Sequence, residues 1–375
     1  MAGIYVHVPF CSQACHYCDF HFSTSLKNVQ HVIDCIKKEL ILHSDYLKGK
    51  TVNTIYFGGG TPSVIHPDFI FETMNVIKNN FNLAKKLECT IEVNPEDVSS
   101  NKLYNWHKYG INRISIGIQS FIAKDLIFMN RAHTKKQSIN ALELIKQSKI
   151  KNVNADLIYG YPQLSLNNWQ KNLKQLIEFE IQHISCYCLT VEKKTALFNF
   201  ILNDKCKPLD PEQGAQHFLL ARDILIESGY HHYEISNFAL ENQQSLHNKN
   251  YWNKTHYLGV GPSAHSYNGV SRQWNVKNNA IYCNKIKRNE TFYELETLTY
   301  KNIINEYILT SLRTFNGLDL NFISDSITDF EYIQFISELR QLEKSGFFTS
   351  KDNMLKLNEK GMLFADSISS QLFLI

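Results

Sequence analysis

Nowhere does the chain reach the run of about 18 apolar residues that a bilayer-spanning helix needs, and Met1-Ala2-Gly3-Ile4-Tyr5 places no basic stretch ahead of an apolar one. Neither a membrane span nor a secretion signal is expected, so the expected location is the cytoplasm. Charge of one sign is scarce too: 39 Lys and Arg against 36 Asp and Glu leave only +3, which by itself argues neither for nor against nucleic acid. There is no repeat of solenoid period and no low-complexity segment. Cysteine is present nine times, an odd number that a disulfide framework does not use; in a reducing compartment a tight cysteine cluster is metal-binding or catalytic. With 375 residues, 43% of them hydrophobic, the chain is long enough for a sizeable core and two or three domains.

What the chain does have is alternation. Short β-branched runs at Ile4–Val8, Val52–Phe57, Cys89–Val93, Arg113–Ile118, Val153–Ile158 and His183–Leu189 read as strands, separated by amphipathic helical stretches. Val29, Val32, Ile33, Ile36, Leu40 and Ile41 keep helical spacing after the first strand; Leu166, Trp169, Leu173, Leu176 and Ile177 do so before the sixth. Repeated βα units imply a parallel sheet, open or rolled into a full or partial barrel. From about Asp210 the alternation weakens into a polar, aromatic, His-rich region, and the last part reads helix, helix, strand, turn, strand, helix. That order suggests a small winged-helix-like α+β domain. Its seven Lys and Arg against eleven Asp and Glu over 296–375 make it a poor phosphate binder, so no nucleic-acid partner is expected. The expected division is a barrel domain over 1–230, a linking region over 231–295 and the C-terminal domain over 296–375.

Directly after the first strand comes Pro9-Phe10-Cys11-Ser12-Gln13-Ala14-Cys15-His16-Tyr17-Cys18, three thiols within eight residues of one loop. One reading is structural zinc, which wants four ligands and would take His16 or His21 as the fourth. The other is an iron–sulfur cubane held by three cysteines, with one iron left open for a ligand. The C-x3-C-x2-C spacing with an aromatic, Tyr17, before the last cysteine resembles the radical-SAM superfamily. In that family a [4Fe–4S] cluster holds the amino and carboxylate groups of S-adenosylmethionine on its open iron, which the preference of soft thiolates for iron–sulfur cores and of harder N and O donors for the open site makes sensible.

The remaining motifs fall at the carboxyl ends of successive strands, where parallel α/β folds bind ligands. They are Phe57-Gly58-Gly59-Gly60-Thr61-Pro62, Glu92-Val93-Asn94-Pro95-Glu96, Gly117-Ile118-Gln119-Ser120 and Asp156-Leu157-Ile158-Tyr159-Gly160. The resemblance implies a partial (β/α)6 TIM-like barrel in which Gly59, Gly60 and Thr61 meet the methionyl end of the cofactor and Glu92 a polar group of it. It also puts Tyr5, Tyr17, Gln119, Arg131 and Asp156 around the same cofactor.

Tyr5-Val-His-Val-Pro-Phe-Cys11, the glycine run and Asp156-Leu-Ile-Tyr-Gly together resemble the oxygen-independent coproporphyrinogen III oxidase group over nearly the whole chain. Two branches compete. The oxidative decarboxylases carry a fourth cysteine two residues past the third and a long segment before the first; the HemW-type heme chaperones lack that cysteine. Here the position is Phe20, and Cys11 follows only ten residues. His247-Asn248-Lys249-Asn250-Tyr251-Trp252 matches the HNxxYW motif of the chaperones, making His247, Asn248, Tyr251 and Trp252 heme-binding candidates: imidazole is a natural axial ligand, and Tyr251 and Trp252 would flank the flat macrocycle. His265, in a Gly-rich loop, is a weaker candidate for lining either site. Cys186 and Cys188, alternating with Tyr187 on a strand, read as core. The expected partners are heme, apo-hemoprotein clients and a second copy in a homodimer.

Overall fold

The structure, a computed structural model, describes all 375 residues. Six parallel strands pair in chain order: β1 Ala2–Val8, β2 Val52–Gly59, β3 Leu83–Val93, β4 Arg113–Gln119, β5 Asn152–Tyr159 and β6 His183–Cys188. Each of the six strand expectations lies within or within one residue of one of them. Alternation does the sorting. In β1, Ile4, Val6 and Val8 are buried in the apolar core, while Tyr5 and His7 point to the opposite face.

Helices between the strands cover the apolar face. The helix Leu166–Glu178 buries Trp169, Leu173 and Leu176 and starts where the Ser165 side chain accepts from the Asn168 N–H. Lys135–Gln147 starts at a reciprocal pair, Thr134 and Gln137, each side chain serving the other's backbone.

Residues 231–295, expected to link two domains, are instead woven into this sheet at both edges. β7 His231–Glu234 and β8 Asn237–Ala239 form a hairpin against β6. β9 His256–Val260 pairs in parallel with β1, and β10 His265–Tyr267, β11 Ser271–Asn275 and β12 Tyr293–Thr297 continue antiparallel beyond it. The order is β12-β11-β10-β9-β1-β2-β3-β4-β5-β6-β8-β7. These strands are three to five residues long and carry aromatic and polar residues in place of β-branched runs, so they leave little alternation to read.

The final segment has its own apolar centre, built on Ile308, Leu318, Ile323, Phe335 and Leu355. A three-stranded sheet of β13 Leu318–Asp319, β14 Phe348–Lys351 and β15 Met354–Leu357 packs there with the helices Tyr300–Leu312 and Asp329–Glu343. It meets the large sheet at an isolated bridge, Glu234 to Thr314, and the helix Pro211–Glu227 at the Arg222–Glu359 ion pair of 3.0 Å.

Candidate cofactor site

The parallel strands curl so that Tyr5 on β1, Glu92 on β3, Asp156 on β5 and Tyr187 on β6 line one cavity of about 900 Å³ at the strands' carboxyl ends. Cys11, Cys15, Tyr17 and Cys18 form part of its wall. Gly59, Gly60, Thr61 and Gln119 reach it from other strand ends, Arg131 from the loop after the helix Ala123–Phe128, Tyr251 from the helix Leu246–Trp252 and His265 from β10. Asp156 is half-buried, taking hydrogen bonds from Asn154 Nδ2 at 2.8 Å and Ser115 Oγ at 3.3 Å; desolvation raises its pKa.

The cysteine loop is closed at its base, where Cys11 N–H donates to Ser23 O at 3.1 Å and Ser23 N–H to Pro9 O at 2.9 Å. It is stitched to the segment after β4: Asn130 Nδ2 donates to Ala14 O at 2.7 Å, Gln13 Nε2 to Asn130 O at 3.0 Å, and His16 N–H to Met129 O at 3.1 Å.

On the other side it lies against the glycine run. A Cβ on Gly60 would sit 2.5 Å from Phe10 O and 2.7 Å from Phe10 N, so a glycine is required for Thr61 N–H to donate to Phe10 O at 2.6 Å. Gly59 has φ +106°, and a Cβ there would meet the His7 ring at 2.4 Å.

Glu92 does not stand free for a ligand. Its Oε1 accepts from Tyr56 OH at 2.9 Å and its Oε2 from the Gly59 N–H at 3.1 Å, so it anchors the glycine run from below. Burial pushes its pKa up to about 7, against the hydrogen bond from Tyr56. A carboxyl whose folded pKa lies above its unfolded one favours the native state most below the unfolded value of 4.5, and that contribution is lost as pH rises towards 7. The loss is on the order of 3 kcal/mol. Urea unfolding of Glu92→Gln should therefore show a flatter fall in stability between pH 4.5 and 7 than the wild type, Glu39, also pushed up to about 7 by burial, keeping its own share. An unchanged slope would show that Glu92 does not titrate in that window.

Arg131 ties the wall together. Nη1 lies 3.4 Å from Cys15 Sγ, and Nη2 donates to Asn94 Oδ1 at 2.6 Å and Gly117 O at 3.1 Å. Gln119 has φ 62°, a left-handed conformation uncommon for a side chain of its size, at the bulge ending β4. Its buried Oε1 and the buried Nε of Arg131 have no partner within the protein, although both residues line the cavity. A buried polar atom without a partner inside the protein calls for one from outside it, and at a cavity wall a ligand or a water can supply it.

Sequence reasoning passed over His7, Asn94, Ser115 and Tyr187. All four line the cavity, each two residues from another lining residue: Tyr5, Glu92, Gly117 and Leu189. Period two along the strands would have found them. Cys188 corrects an expectation: Cys186 is core, but Cys188 is exposed and lines the cavity, because β6 ends at the rim where neither face is covered.

The HNxxYW candidates are separated. His247 is 1% exposed; its Nδ1 pairs with Thr54 Oγ1 at 2.9 Å and its Nε2 with Tyr251 OH at 3.1 Å. The ring stacks on Tyr56 at 4.9 Å, and burial drives its pKa down to about 3. Both nitrogens are spent, so the imidazole is not open to iron in this arrangement. Tyr251 faces the main cavity, whereas Trp252 lines a second hollow of about 190 Å³ beneath the Arg313 guanidinium, 5.6 Å from its ring. The two cannot flank one macrocycle. Asn248 lies in the first turn of the helix Leu246–Trp252, its N–H donating to Ser245 Oγ at 3.2 Å, and lines neither hollow. His265 is exposed at the cavity rim, stacked with Trp274 at 6.3 Å and without a hydrogen-bonding partner for its ring.

The donor set fits a cluster better than a single zinc ion. Three thiolates sharing one tetrahedral zinc lie about 3.8 Å apart, from Zn–S bonds of about 2.3 Å. Cys11, Cys15 and Cys18 do not come within 4.8 Å of one another as a set; a different triad does. His16 Nδ1–H donates to Phe128 O at 2.8 Å, and His21 Nε2–H donates to Asn279 Oδ1 at 2.7 Å, so each of these imidazoles already has one ring nitrogen engaged. Burial raises the Cys11 thiol to about 12 and the Cys18 thiol to about 11, so as thiolates they need a cation to compensate them.

The model of the radical SAM superfamily matches residues 5–176. A heme chaperone HemW of Buchnera aphidicola subsp. Schizaphis graminum is 32% identical across 98% of this chain and 96% of its own. HemW of Bacillus subtilis is 28% identical over 98% of each chain. A mitochondrial radical S-adenosyl methionine domain-containing protein 1 of Danio rerio is 29% identical over 98% of this chain and 86% of its own. Among solved structures, coproporphyrinogen III oxidase (HemN) of Escherichia coli superposes with a TM-score of 0.85 over 99% of this chain and 90% of that one; at 22% identity this shows a shared fold.

Proposed function

Since the chain belongs to the radical SAM superfamily and, within it, to the heme chaperones of the HemW type, we propose that it binds heme and passes it to apo-hemoproteins such as respiratory enzymes. Cys11, Cys15 and Cys18 would hold a [4Fe–4S] cluster with S-adenosylmethionine beside it, a pair that would supply one-electron chemistry at this site when bound. The chain's own residues do the positioning. Glu92 and Tyr56 fix the Gly59–Thr61 backbone beside Cys11, and Arg131 holds Cys15 against Asn94. Gln119 Oε1 and Arg131 Nε are the polar atoms left for the cofactor. Nine free cysteines suit the reducing cytoplasm, and no helix is long and apolar enough to cross a membrane.

The observation that carries the chaperone reading over the decarboxylase one is Phe20. Where the decarboxylases have a fourth cysteine, this chain has an aromatic side chain that is 73% exposed at the cavity mouth, an apolar surface of the kind a porphyrin face covers. His265 is the imidazole open at the same mouth, so it is the residue that would hold heme iron there, while His247 serves the packing of Tyr251.

Heme titration of the anaerobically reconstituted protein tests this. His265→Ala should weaken binding by at least about tenfold, or 1.4 kcal/mol. His247→Ala should retain heme affinity but lose about 1–3 kcal/mol of stability, because Thr54 Oγ1 and Tyr251 OH lose their partner. The reverse pattern places heme on His247 and requires the Leu246–Trp252 helix to open. Incubation with coproporphyrinogen III, reductant and S-adenosylmethionine should give no protoporphyrinogen; catalytic turnover would overturn the chaperone reading.

A further inference from the structure

The first helix, Val29–Leu42, faces the helix Asn279–Arg288 that joins β11 to β12, and three metal-binding side chains meet across that contact. His31 and Cys35 stand one turn apart on the first helix, and Cys283 comes from the second. One ligand atom of each lies within 4.8 Å of the other two. None of the three lines the cofactor cavity. Both thiols are buried and lie against each other, and Cys35 Sγ also meets Cys283 O at 4.0 Å. His31 is exposed and makes no side-chain hydrogen bond. The neighbouring charges are already engaged: Lys38 Nζ donates to Ile286 O at 2.8 Å and Asn289 Oδ1 at 2.9 Å, while Asp34 pairs with Lys37 at 2.8 Å.

From this geometry we infer a second metal site, in which His31, Cys35 and Cys283 bind one thiophilic d10 cation such as Zn2+, with water in the fourth position. The chemistry of the set is specific. Two sulfurs and one imidazole at mutual distances under 4.8 Å match the span of a tetrahedral zinc site, whose ligands lie at about 2.0–2.3 Å from the ion. A hard cation would want oxygen donors, and the triad has none. The exposed face of His31 leaves the water position reachable from solvent. Binding would release the two thiol protons and cross-link the helix after β1 to the helix before β12. The second helix begins at Asn279, whose Oδ1 meets His21 Nε2, and Lys277 Nζ donates to Asp19 O at 3.1 Å. A clasp at Cys283 would therefore also steady the cysteine loop from behind.

The test uses the full chain with its cluster reconstituted anaerobically, dialysed against micromolar Zn2+ with a weak chelator and then analysed for zinc and iron. The wild type should retain about one zinc atom per chain with its iron unchanged and gain thermal stability on zinc addition. Cys283→Ser and Cys35→Ser should retain none. His31→Ala, an exposed substitution that leaves the fold intact, should weaken zinc binding by at least about tenfold. Absence of zinc from the wild type, uptake only at the expense of iron, or equal uptake by His31→Ala would each overturn the assignment. So would a Cys35–Cys283 disulfide, detected by mass in an alkylated, non-reduced sample and lost on reduction, in place of the metal.

Discussion

Cys15→Ala is expected to emerge from anaerobic reconstitution without iron, dropping from about four iron atoms per chain to background and losing the visible charge-transfer absorbance. The loss should be chemical and not structural. Cys15 is only partly buried, and the tie it makes to the loop, Cys18 N–H to Cys15 O at 3.3 Å, runs through its backbone. Arg131 keeps its bonds to Asn94 and Gly117 when the thiol is gone. The far-ultraviolet circular dichroism and the urea midpoint should therefore stay close to wild type while the cluster disappears. Two thiols would remain, too few to hold a cubane that already leaves one iron open. Zinc without iron in the anaerobically purified wild type would defeat this prediction and the cluster assignment with it.

Gly60→Ala should be nearly as damaging, by a different route. The added methyl would meet two main-chain atoms, Phe10 O and Phe10 N, neither of which can swing aside like the tip of a long side chain. Either the turn after β2 or the start of the cysteine loop has to withdraw, and the bonds Gly60 N–H to Val8 O and Thr61 N–H to Phe10 O go with it. Overpacking of this kind costs about 1–3 kcal/mol, and two strained hydrogen bonds add about 1 kcal/mol each. The cofactor should suffer more than the fold, because the displaced backbone is the wall beside Cys11. S-adenosylmethionine affinity of the reconstituted variant, read by equilibrium dialysis, is expected to fall by about a hundredfold or more, and iron content by less. Near wild-type affinity would show that the glycine is not there for close approach.

The six central strands and their ligand ends were legible because both signals are local. A strand buried on one face writes its β-branched residues at every second position, and a strand end that meets a ligand departs from that pattern within two or three residues, as Glu92 and Asn94 do. The edges were not legible. β9 is only Tyr257-Leu258-Gly259-Val260 with His256 before it, and what makes it a strand is β1, some 250 residues earlier in the chain. The heme motif shows the same limit. Its spacing puts His247 and Tyr251 one helical turn apart, which is how they come to bond to each other, but no spacing could show that Thr54 takes the other nitrogen. Burial was likewise hidden at Cys188, where a regular strand pattern continues past the point at which the sheet stops being covered.

The position of β1 carries a consequence for how the protein is made. It leaves the ribosome before both of its neighbours: one of its two hydrogen-bonding edges waits for β2, about fifty residues later, and the other for β9, after residue 256. Until then the strand leading directly into the cysteine loop has an open edge, the kind of edge that pairs with a wrong neighbour, and contacts of such separation form slowly. Synthesis at about 5–20 residues per second leaves the loop without its far wall for some ten seconds or more. Delivery of iron and sulfur before release of the chain would meet an unroofed site, and delivery afterwards a closed one.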